Sequence, residues 1–298
     1  MAEIPHIDDD YASGELIYYA HTLDSEFTEL YLPPISDVHD GNPLHSRKHL
    51  RRTIAYIAAE PNRKTVLNGD MIEAITRGSV GDIFKQVGTP QDQADSLVEE
   101  FYPIKDDILG VTSGNHEDRI YREVGWDVAR YIAQCLGVPY RSEGMLLKIS
   151  FGDGNNYTKD KPYVFWLYMT HGYGGARTKP AKAVKVERTA TWIDADCYIM
   201  SHDHVVNVAP DIYLKPDNRT RPEKDRRGNE TGFTVGRVKA SRKMLVKSNA
   251  YLKWGGYSEK GGFPPVDMTT PVIKFLTPKS PLWESLPDRP QQAVKVEV

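Results

Sequence analysis

Histidine and carboxylate side chains cluster in five short segments of the sequence. The segments are Asp37-Val38-His39, Gly69-Asp70, Gly114-Asn115-His116-Glu117, His171-Gly172 and His202-Asp203-His204. Each segment closely follows a short apolar run with the composition of a β-strand. Because ligand sites in open α/β sheets form at the carboxyl ends of strands, we expect these side chains to meet at one rim of the fold.

Within these segments, carboxylate, amide and imidazole side chains together offer a set of metal ligands. They are Asp37, His39, Asp70, Asn115, His171, His202 and His204. This mixture of oxygen and nitrogen donors suits Mn, Fe, Zn or Co. The set is too large for one tetrahedral zinc ion, and it fits two metal ions about 3.5–4 Å apart that share a carboxylate. Such a pair holds the attacking and leaving oxygens of a displacement at phosphorus.

The elements that must position these side chains alternate between strand and helix. The predicted strands are Glu29–Ile35, Lys64–Leu67, Ile108–Thr112, Tyr163–Thr170 and Cys197–Met200, and the predicted helices are Leu44–Ala59 and Arg119–Leu136. After His204 the pattern changes to β-rich hairpins, with strands near Val205–Leu214, Gly232–Lys239, Met244–Tyr251 and Val272–Leu276. Alternation of this kind predicts a layered α/β fold.

The composition excludes several classes of protein. The chain has 298 residues, of which 40% are hydrophobic and 27% charged, which is typical of a globular protein. No run of about 18 apolar residues is present, so we expect no membrane partner. The first ten residues are acidic, unlike a signal peptide, and this favours a cytoplasmic location. Only two cysteines occur, so neither a disulfide framework nor a cysteine-based zinc site is expected.

Charge is distributed unevenly along the chain. Residues 1–40 contain ten Asp or Glu and no Lys or Arg, whereas Lys215 to Lys247 contains eleven Lys or Arg and four Asp or Glu. The basic half favours an anionic partner. Within it, the mixed charges and turn residues of 217–229 favour a solvated surface loop.

We expect one principal domain, over residues 25–277. Residues 1–24 are predicted to be an acidic extension. Residues 278–298 contain several prolines and are predicted to be a tail.

The five motifs, in their order, resemble those of the calcineurin-like metallophosphoesterases, whose pattern is D-x-H, G-D, G-N-H-[ED], a later H, and G-H-x-H. The resemblance spans Asp37 to His204, more than half of the chain. One departure is Ser201, where the family usually has Gly. The resemblance implies an α/β sandwich of two mixed β-sheets flanked by helices, with the metal site at one rim.

The resemblance also assigns the metal ligands. Asp37, His39 and His204 would hold one metal ion, and Asn115, His171 and His202 would hold the other, with Asp70 bridging the two. The cofactor is then two divalent ions, with manganese the first choice and Fe, Zn or Co as alternatives. The family reaction is attack on phosphorus by a hydroxide that bridges the two metals.

Further residues are candidates for catalysis and substrate binding. His116, the non-ligand histidine of its motif, would protonate the leaving oxygen. Glu73 stands where the protein phosphatases of the family carry Asp, and we predict that its carboxylate orients His116 as a dyad. Arg119 and Arg177, together with Lys179, are candidates for binding phosphate oxygens. His45, six residues after His39, is a candidate substrate contact.

The first choice of function is hydrolysis of a phosphodiester in nucleic acid or a nucleotide. It rests on the basic residues after His171 and on a Gly-rich segment with aromatic residues, Tyr251, Trp254, Tyr257 and Phe263, that could stack on a substrate. A phosphomonoesterase, including a protein phosphatase, is the second choice. The residue sequence of the His116 motif and the Glu73 carboxylate favour it. A metal-binding scaffold without catalytic activity is the alternative from another class.

Overall fold

The structure is a computed structural model that describes residues 17–79, 81–158, 160–175, 178–260, 262, 264–265, 267–286 and 293–298. In chain order the strands are β1 (Tyr18–Leu23), β2 (Glu29–Leu32), β3 (Thr65–Asn68), β4 (Ile108–Thr112), β5 (Met145–Phe151), β6 (Tyr163–Thr170), β7 (Cys197–Met200), β8 (Asn207–Lys224), β9 (Glu230–Lys247), β10 (Val272–Leu276) and β11 (Val294–Glu297). The helices are α1 (Arg47–Ala58), α2 (Pro90–Phe101), α3 (Asn115–Val124), α4 (Val128–Leu136), α5 (Lys179–Trp192) and the short α6 (Tyr257–Lys260).

The strands form two layers. One layer is a six-stranded mixed sheet in the order β1-β5-β6-β7-β9-β8. The other combines the sheet β11-β10-β2 with the parallel pair β3-β4. Isolated bridges from Tyr31 to Arg63 and from Ile35 to Leu67 join these two pieces. The predicted fold class, a two-layer mixed α/β sandwich flanked by helices, is therefore confirmed.

A hydrophobic core lies between the layers. Leu30 and Val66 from one layer belong to the same buried cluster as Leu147 and Leu167 from the other. In β5 the residues Met145, Leu147 and Ile149 are fully buried and alternate with partly exposed residues, as expected for a strand with one face on a core. Burial of this apolar surface holds the two layers together.

Helices cover the outer faces of both layers. Leu50 and Ile57 of α1, with Leu97 of α2 and Ile132 of α4, pack in one cluster with Leu67 and neighbouring residues of the second layer. On the opposite side, Val186 and Ala190 of α5 pack against Tyr198 of β7 and Leu245 of β9. Helix α5 begins after the His171 loop and has Pro180 in its first turn, where the missing N–H of proline costs no hydrogen bond.

Three sequence predictions differ from the structure. Strands β1 and β11 pair with β5 and β10, so both layers extend beyond the predicted domain boundaries at 25 and 277. The predicted helix Arg119–Leu136 is two helices, because Gly125 ends α3 in the left-handed conformation, with φ 69°. Residues 217–229, predicted as a loop, instead form the outer end of β8 and the turn that joins it to β9.

Candidate metal centre

The predicted metal ligands lie on the loops that leave β2, β3, β6 and β7 and at the first residue of α3. Positive φ angles of 50–70° occur at most of these positions. They are Asp37, His39, Asp70, His202 and His204, and among described residues other than glycine only Ala74 joins them. A non-glycine residue costs about 1–3 kcal/mol in this region, and such strain concentrates at functional sites. The loops therefore bend sharply at the residues whose side chains converge.

Two glycines make room for this convergence. A Cβ atom on Gly69 would lie 2.6 Å from His171 Nδ1 and 2.8 Å from the Gly114 Cα atom. A Cβ atom on Gly114 would collide with the backbone nitrogen of Asp70. Both motif positions therefore require glycine for steric reasons, independently of any role in catalysis.

The first group of converging side chains consists of Asp37, His39 and His204. Their potential ligand atoms all lie within 4.8 Å of one another. The Nε2 atom of His204 is 3.1 Å from Asp37 Oδ1 and 3.2 Å from His39 Nε2. Asp37 and His39 are buried, so these donors face a space that is largely shielded from water.

The second group consists of Asp70, His171 and His202, whose ligand atoms also lie within 4.8 Å of one another. His171 Nε2 is 3.1 Å from Asp70 Oδ2 and 3.3 Å from His202 Nδ1. It is also 3.3 Å from the side-chain oxygen of Asn115, which brings the amide into this group.

Asp70 lies between the two groups. Its Oδ2 atom is 3.1 Å from His171 Nε2 and 3.9 Å from the Nε2 atoms of both His39 and His116. Its Oδ1 atom accepts a hydrogen bond from the His116 backbone N–H. One buried carboxylate is therefore shared by side chains of both groups.

The donor set fits metal ions. In each group two imidazole nitrogens face each other at 3.2–3.3 Å, an arrangement that needs a cation or a proton between the two lone pairs. Asp37 Oδ1 is buried, and His204 Nε2 lies 3.1 Å from it without the geometry of a hydrogen bond. Such a buried acceptor is costly unless a cation satisfies it. Mixed imidazole and carboxylate donors suit Mn, Fe, Zn or Co.

Without metal, protons take the place of cations. Burial alone would lower the pKa of His39, but the hydrogen bond and charge of Glu73, with Asp70 and Asp37, raise it to about 9. Burial is likewise outweighed at His171, where Asp70 raises the pKa to about 10. Despite its burial, Asp37 has its pKa lowered to about 2 by His204. His39 and His171 therefore carry protons near neutral pH in the metal-free form, next to ionised carboxylates.

The predicted dyad of Glu73 and His116 is wrong. The Glu73 carboxylate lies 3.0 Å from His39 Nδ1, so it contacts a predicted metal ligand. His116 Nδ1 instead contacts the backbone carbonyl of Glu73. The loop after Asp70 turns through a second positive φ at Ala74, and this path places the Glu73 backbone, not its side chain, beside His116.

His116 is nevertheless oriented toward the centre. Because a carbonyl can only accept, Nδ1 carries the proton, and Nε2 faces Asp70 with a free lone pair. Burial lowers the pKa of His116 to about 4, although Asp70 and Glu73 oppose the shift. The side chain keeps 16% of its surface exposed, so a substrate atom can reach it.

Glu117 is a supporting residue to which the sequence analysis gave no role. Its two carboxylate oxygens accept the backbone N–H groups of Asp70, Met71, Ile72 and Gly114 at 2.7–3.1 Å. Burial and the charge of Asp70 raise its pKa, and the hydrogen bonds from the backbone oppose this. The signal in the sequence was the acidic residue two positions after Asn115, in the first turn of α3.

Asp203 anchors the segment between His202 and His204. Its carboxylate accepts from Lys185 at 2.7 Å and from the fully buried Lys247 at 2.5 Å, and its carbonyl accepts from Lys182 at 2.8 Å. Lysines from α5 and β9 therefore fix the loop that carries both histidines.

The predicted substrate contacts are less clearly placed at the centre. Arg119 donates to the carbonyl of Ala74 at 3.1 Å, and Arg177 lies outside the described residues. The side chain of His45 is largely buried, with Nε2 3.7 Å from Asp40 Oδ1. Lys179 is the first residue of α5.

One of the four aromatic residues considered above as a stacking surface lies in the core. Tyr251 is buried, and its hydroxyl lies 3.2–3.3 Å from Thr53 and Thr270. Trp254 is 44% exposed, and Phe263 lies outside the described residues. The Tyr251 ring therefore belongs to the core beside α1.

Comparisons with known proteins give structural matches only. No family model matches the chain, and no curated protein matches it. Among solved structures, the calcineurin-like phosphoesterase YfkN from Bacillus subtilis is 11% identical, with 85% of this chain and 86% of that chain covered and a TM-score of 0.42. The E. coli phosphoesterase Yfce is 14% identical, with coverage of 83% and 88% and a TM-score of 0.36. The Pseudomonas putida nuclease MPE is 11% identical, with coverage of 82% for both chains and a TM-score of 0.33.

These structures carry names from the phosphoesterase and nuclease groups that the sequence motifs resemble. The likeness is loose at such identities, so the chemistry proposed below rests on the geometry of the centre. Within the described residues, no helix combines the length and the apolar character needed to cross a membrane.

Proposed function

We propose that the protein is a hydrolase of phosphoester bonds that depends on two divalent metal ions. The observation that carries the proposal is the pair of ligand groups that share the Asp70 carboxylate. Asp37, His39 and His204 would hold one ion. Asn115, His171 and His202 would hold the other, with Asp70 between them.

The bound ions would lower the pKa of a water molecule and polarise the phosphoryl oxygens, which is the chemistry of two-metal hydrolases. The chain supplies the rest of the site. Glu73 holds the ring of His39 by its Nδ1 atom, which leaves Nε2 facing the centre. The carbonyl of Asn68 holds the ring of His171 in the same way at 2.8 Å. Such partners orient histidine ligands and raise their basicity.

His116 would carry the proton for the leaving oxygen. Its Nδ1 proton is fixed by the Glu73 carbonyl, so Nε2 is the atom that gains and loses a proton beside the centre. A general acid in this position contributes about 10²–10⁴-fold to a rate. The contribution is largest when the leaving oxygen is strongly basic, as in an alkoxide.

A phosphodiester is the substrate that we favour. A monoester dianion carries more charge than a diester, and it calls for additional cationic side chains. Arg119, the predicted phosphate-binding arginine within the described residues, is instead hydrogen bonded to Ala74. A phosphomonoesterase is the second candidate, supported by the exposed edge of His116.

The test is turnover of several substrates by the purified chain with Mn²⁺. They are bis(p-nitrophenyl) phosphate, p-nitrophenyl phosphate, duplex DNA and single-stranded DNA. We expect turnover of the diesters, and we expect Asp70→Ala to abolish it. Turnover of the monoester alone would contradict the diester proposal. Metal binding without turnover of any substrate would favour the scaffold alternative.

His116→Gln separates the proton donor from the metal ligands. We expect it to slow DNA hydrolysis by about 10²–10⁴-fold and to slow bis(p-nitrophenyl) phosphate hydrolysis much less, because the nitrophenolate leaves without a proton. Metal content should not change. Equal losses for both substrates would contradict the role proposed for His116.

A further inference from the structure

The β8–β9 hairpin projects beyond the body of the fold. Strand β7 begins at Cys197, which pairs with Met244 of β9, and Met244 pairs in turn with Pro210 of β8. Beyond this point the hairpin has no further strand beside it in the described sheet. Pairing continues outward from there, through Lys215 with Lys239 and Arg221 with Val235, to the turn at the tip. We call residues 215–239 the hairpin arm. At about 3.3 Å per residue the arm is roughly 30 Å long.

The arm lies away from the metal centre. The histidines of the centre follow the carboxyl end of β7, where β8 begins at Asn207. Seventeen residues separate Asn207 from Lys224 at the outer end of β8. At about 3.3 Å per residue the tip is therefore about 50 Å from the start of the hairpin.

The arm is strongly cationic in a chain whose net charge is −3. It contains eight Lys or Arg and four Asp or Glu. Asp217 pairs with Arg219 and Lys239, and the Asp225 carboxylate accepts backbone N–H groups of the tip turn. Lys215 pairs with Asp194 of the body.

The remaining cations of the arm have no carboxylate partner among the described residues. They are Arg221, Lys224, Arg226, Arg227 and Arg237, and all of them are exposed. A cluster of unpaired arginines and lysines on a projecting element is an electrostatic site for a polyanion. The same charge makes two arms repel each other, which disfavours a second copy of the chain as the occupant.

The shape of the arm selects among polyanions. It is a two-stranded antiparallel ribbon, and the major groove of B-DNA, about 12 Å wide, admits such a ribbon. The deep and narrow major groove of duplex RNA does not. Exposed cations along both strands of the ribbon can then contact the phosphates on either side of the groove.

We propose that the hairpin arm binds duplex DNA through its groove and phosphates, at the end of the molecule opposite the metal centre. This inference goes beyond the proposed function, because the arm would hold DNA whichever phosphoester the centre hydrolyses. A duplex rises about 3.4 Å per base pair, so about 15 base pairs span the distance from the tip to the start of the hairpin.

The experiment compares two charge variants of the full chain. The arm variant carries Arg221→Gln, Arg226→Gln, Arg227→Gln and Arg237→Gln. The control variant carries four changes at exposed cations on the helices, namely Lys48→Gln, Arg52→Gln, Arg122→Gln and Arg130→Gln. Binding to a fluorescein-labelled 30-base-pair duplex is measured by anisotropy between 50 and 200 mM salt, with EDTA present to prevent metal-dependent cleavage.

We expect the arm variant to bind at least tenfold more weakly at 100 mM salt. The slope of log affinity against log salt should fall by about 3–4, since each phosphate contact contributes about 0.9. The control variant should bind as the unchanged chain does. Duplex RNA of the same sequence should bind more weakly than DNA to the unchanged chain, and the arm changes should affect it less.

Several results would overturn the proposal. The first is that the arm variant binds DNA as tightly as the control variant does. The second is that the arm changes weaken binding to RNA and to DNA equally. The third is that the arm changes leave DNA binding intact and alter only the oligomeric state of the protein or its binding to anionic vesicles. Hydrolysis of bis(p-nitrophenyl) phosphate should be the same in the arm variant and the unchanged chain. If no variant hydrolyses any ester but the arm variant still loses DNA binding, the proposed function fails and the arm proposal stands.

Discussion

Glu117→Gln removes a carboxylate that holds the loop of the bridging aspartate. In the structure Oε1 accepts the N–H groups of Met71 and Ile72, and Oε2 accepts those of Asp70 and Gly114. Glutamine keeps one acceptor oxygen and replaces the other with an NH₂ group. That group cannot accept, so two buried backbone donors lose their partner.

The cost follows from those two donors. An unsatisfied buried donor costs about 1–3 kcal/mol, so we expect a loss of about 2–6 kcal/mol in the free energy of unfolding. Because 1 kcal/mol shifts Tm by about 2–4 °C in a domain of roughly this size, Tm should fall by about 4–24 °C. The Asp70 backbone also loses its anchor, so metal affinity should fall together with stability.

The assay is thermal and urea unfolding of the metal-free chain, combined with Mn²⁺ titration of the folded protein. Glu123→Gln is the matched control, since Glu123 is exposed on the same helix and its change should stay within about 0.5 kcal/mol. If Glu117→Gln unfolds like the control and binds Mn²⁺ with unchanged affinity, the role given to this carboxylate is refuted.

Four further predictions concern the same centre. Glu73→Gln should lower metal affinity by about 10–100-fold, because it removes the charged partner of His39 Nδ1. A loss in kcat with unchanged metal affinity would instead support the Glu73–His116 dyad. Metal binding near pH 7.5 should release about two protons per chain, because the pKa values of His39 (about 9) and His171 (about 10) lie above that pH. The release is measured by calorimetry in buffers of different ionisation enthalpy. Release of no protons would contradict this prediction. Because folding raises the pKa values of these two rings, their protonation stabilises the metal-free fold. This contribution is complete below about pH 6.5 and disappears as the pH rises through 9–10. Unfolding experiments at several pH values measure it. Gly114→Ala should displace the Asp70 loop and weaken metal binding. Gly236→Ala is the control, because its added Cβ atom would make only ordinary van der Waals contacts at 3.6–3.9 Å.

The sequence predicted the strands that carry the centre because each is a short apolar run. The bounds of Ile108–Thr112, Tyr163–Thr170 and Cys197–Met200 agree with the structure. These strands are buried in the layers, so their composition alone indicates their position. The ligand segments follow directly, and for that reason the sequence indicated which side chains converge in the structure; that they bind metal stays a prediction.

The error at Glu73 has a different origin. The sequence shows that a carboxylate lies three residues after Asp70, but it does not show the path of the loop. That path passes through positive φ angles at Asp70 and Ala74, which are uncommon for non-glycine residues and which sequence patterns do not predict. As a result the side chain reaches His39 and the backbone reaches His116.

Elements with distant partners were also missed. Strand β1 pairs with β5, and Tyr18 lies beside Leu146, so nothing near β1 in the sequence indicates its pairing. Residues 217–229 of the hairpin arm were predicted as a loop because they are rich in charged and turn residues and do not alternate between apolar and polar. Helix α2 does carry a local signal, the capping box of Thr89 and Asp92, that the sequence analysis did not use.

The most direct test of the two-metal centre is a crystal of the chain grown with Mn²⁺ and measured for anomalous scattering. Two Mn²⁺ peaks about 3.5–4 Å apart are expected, on either side of Asp70, one beside His39 and His204 and the other beside His171 and His202. A single peak, or metal bound away from Asp70, would contradict the account.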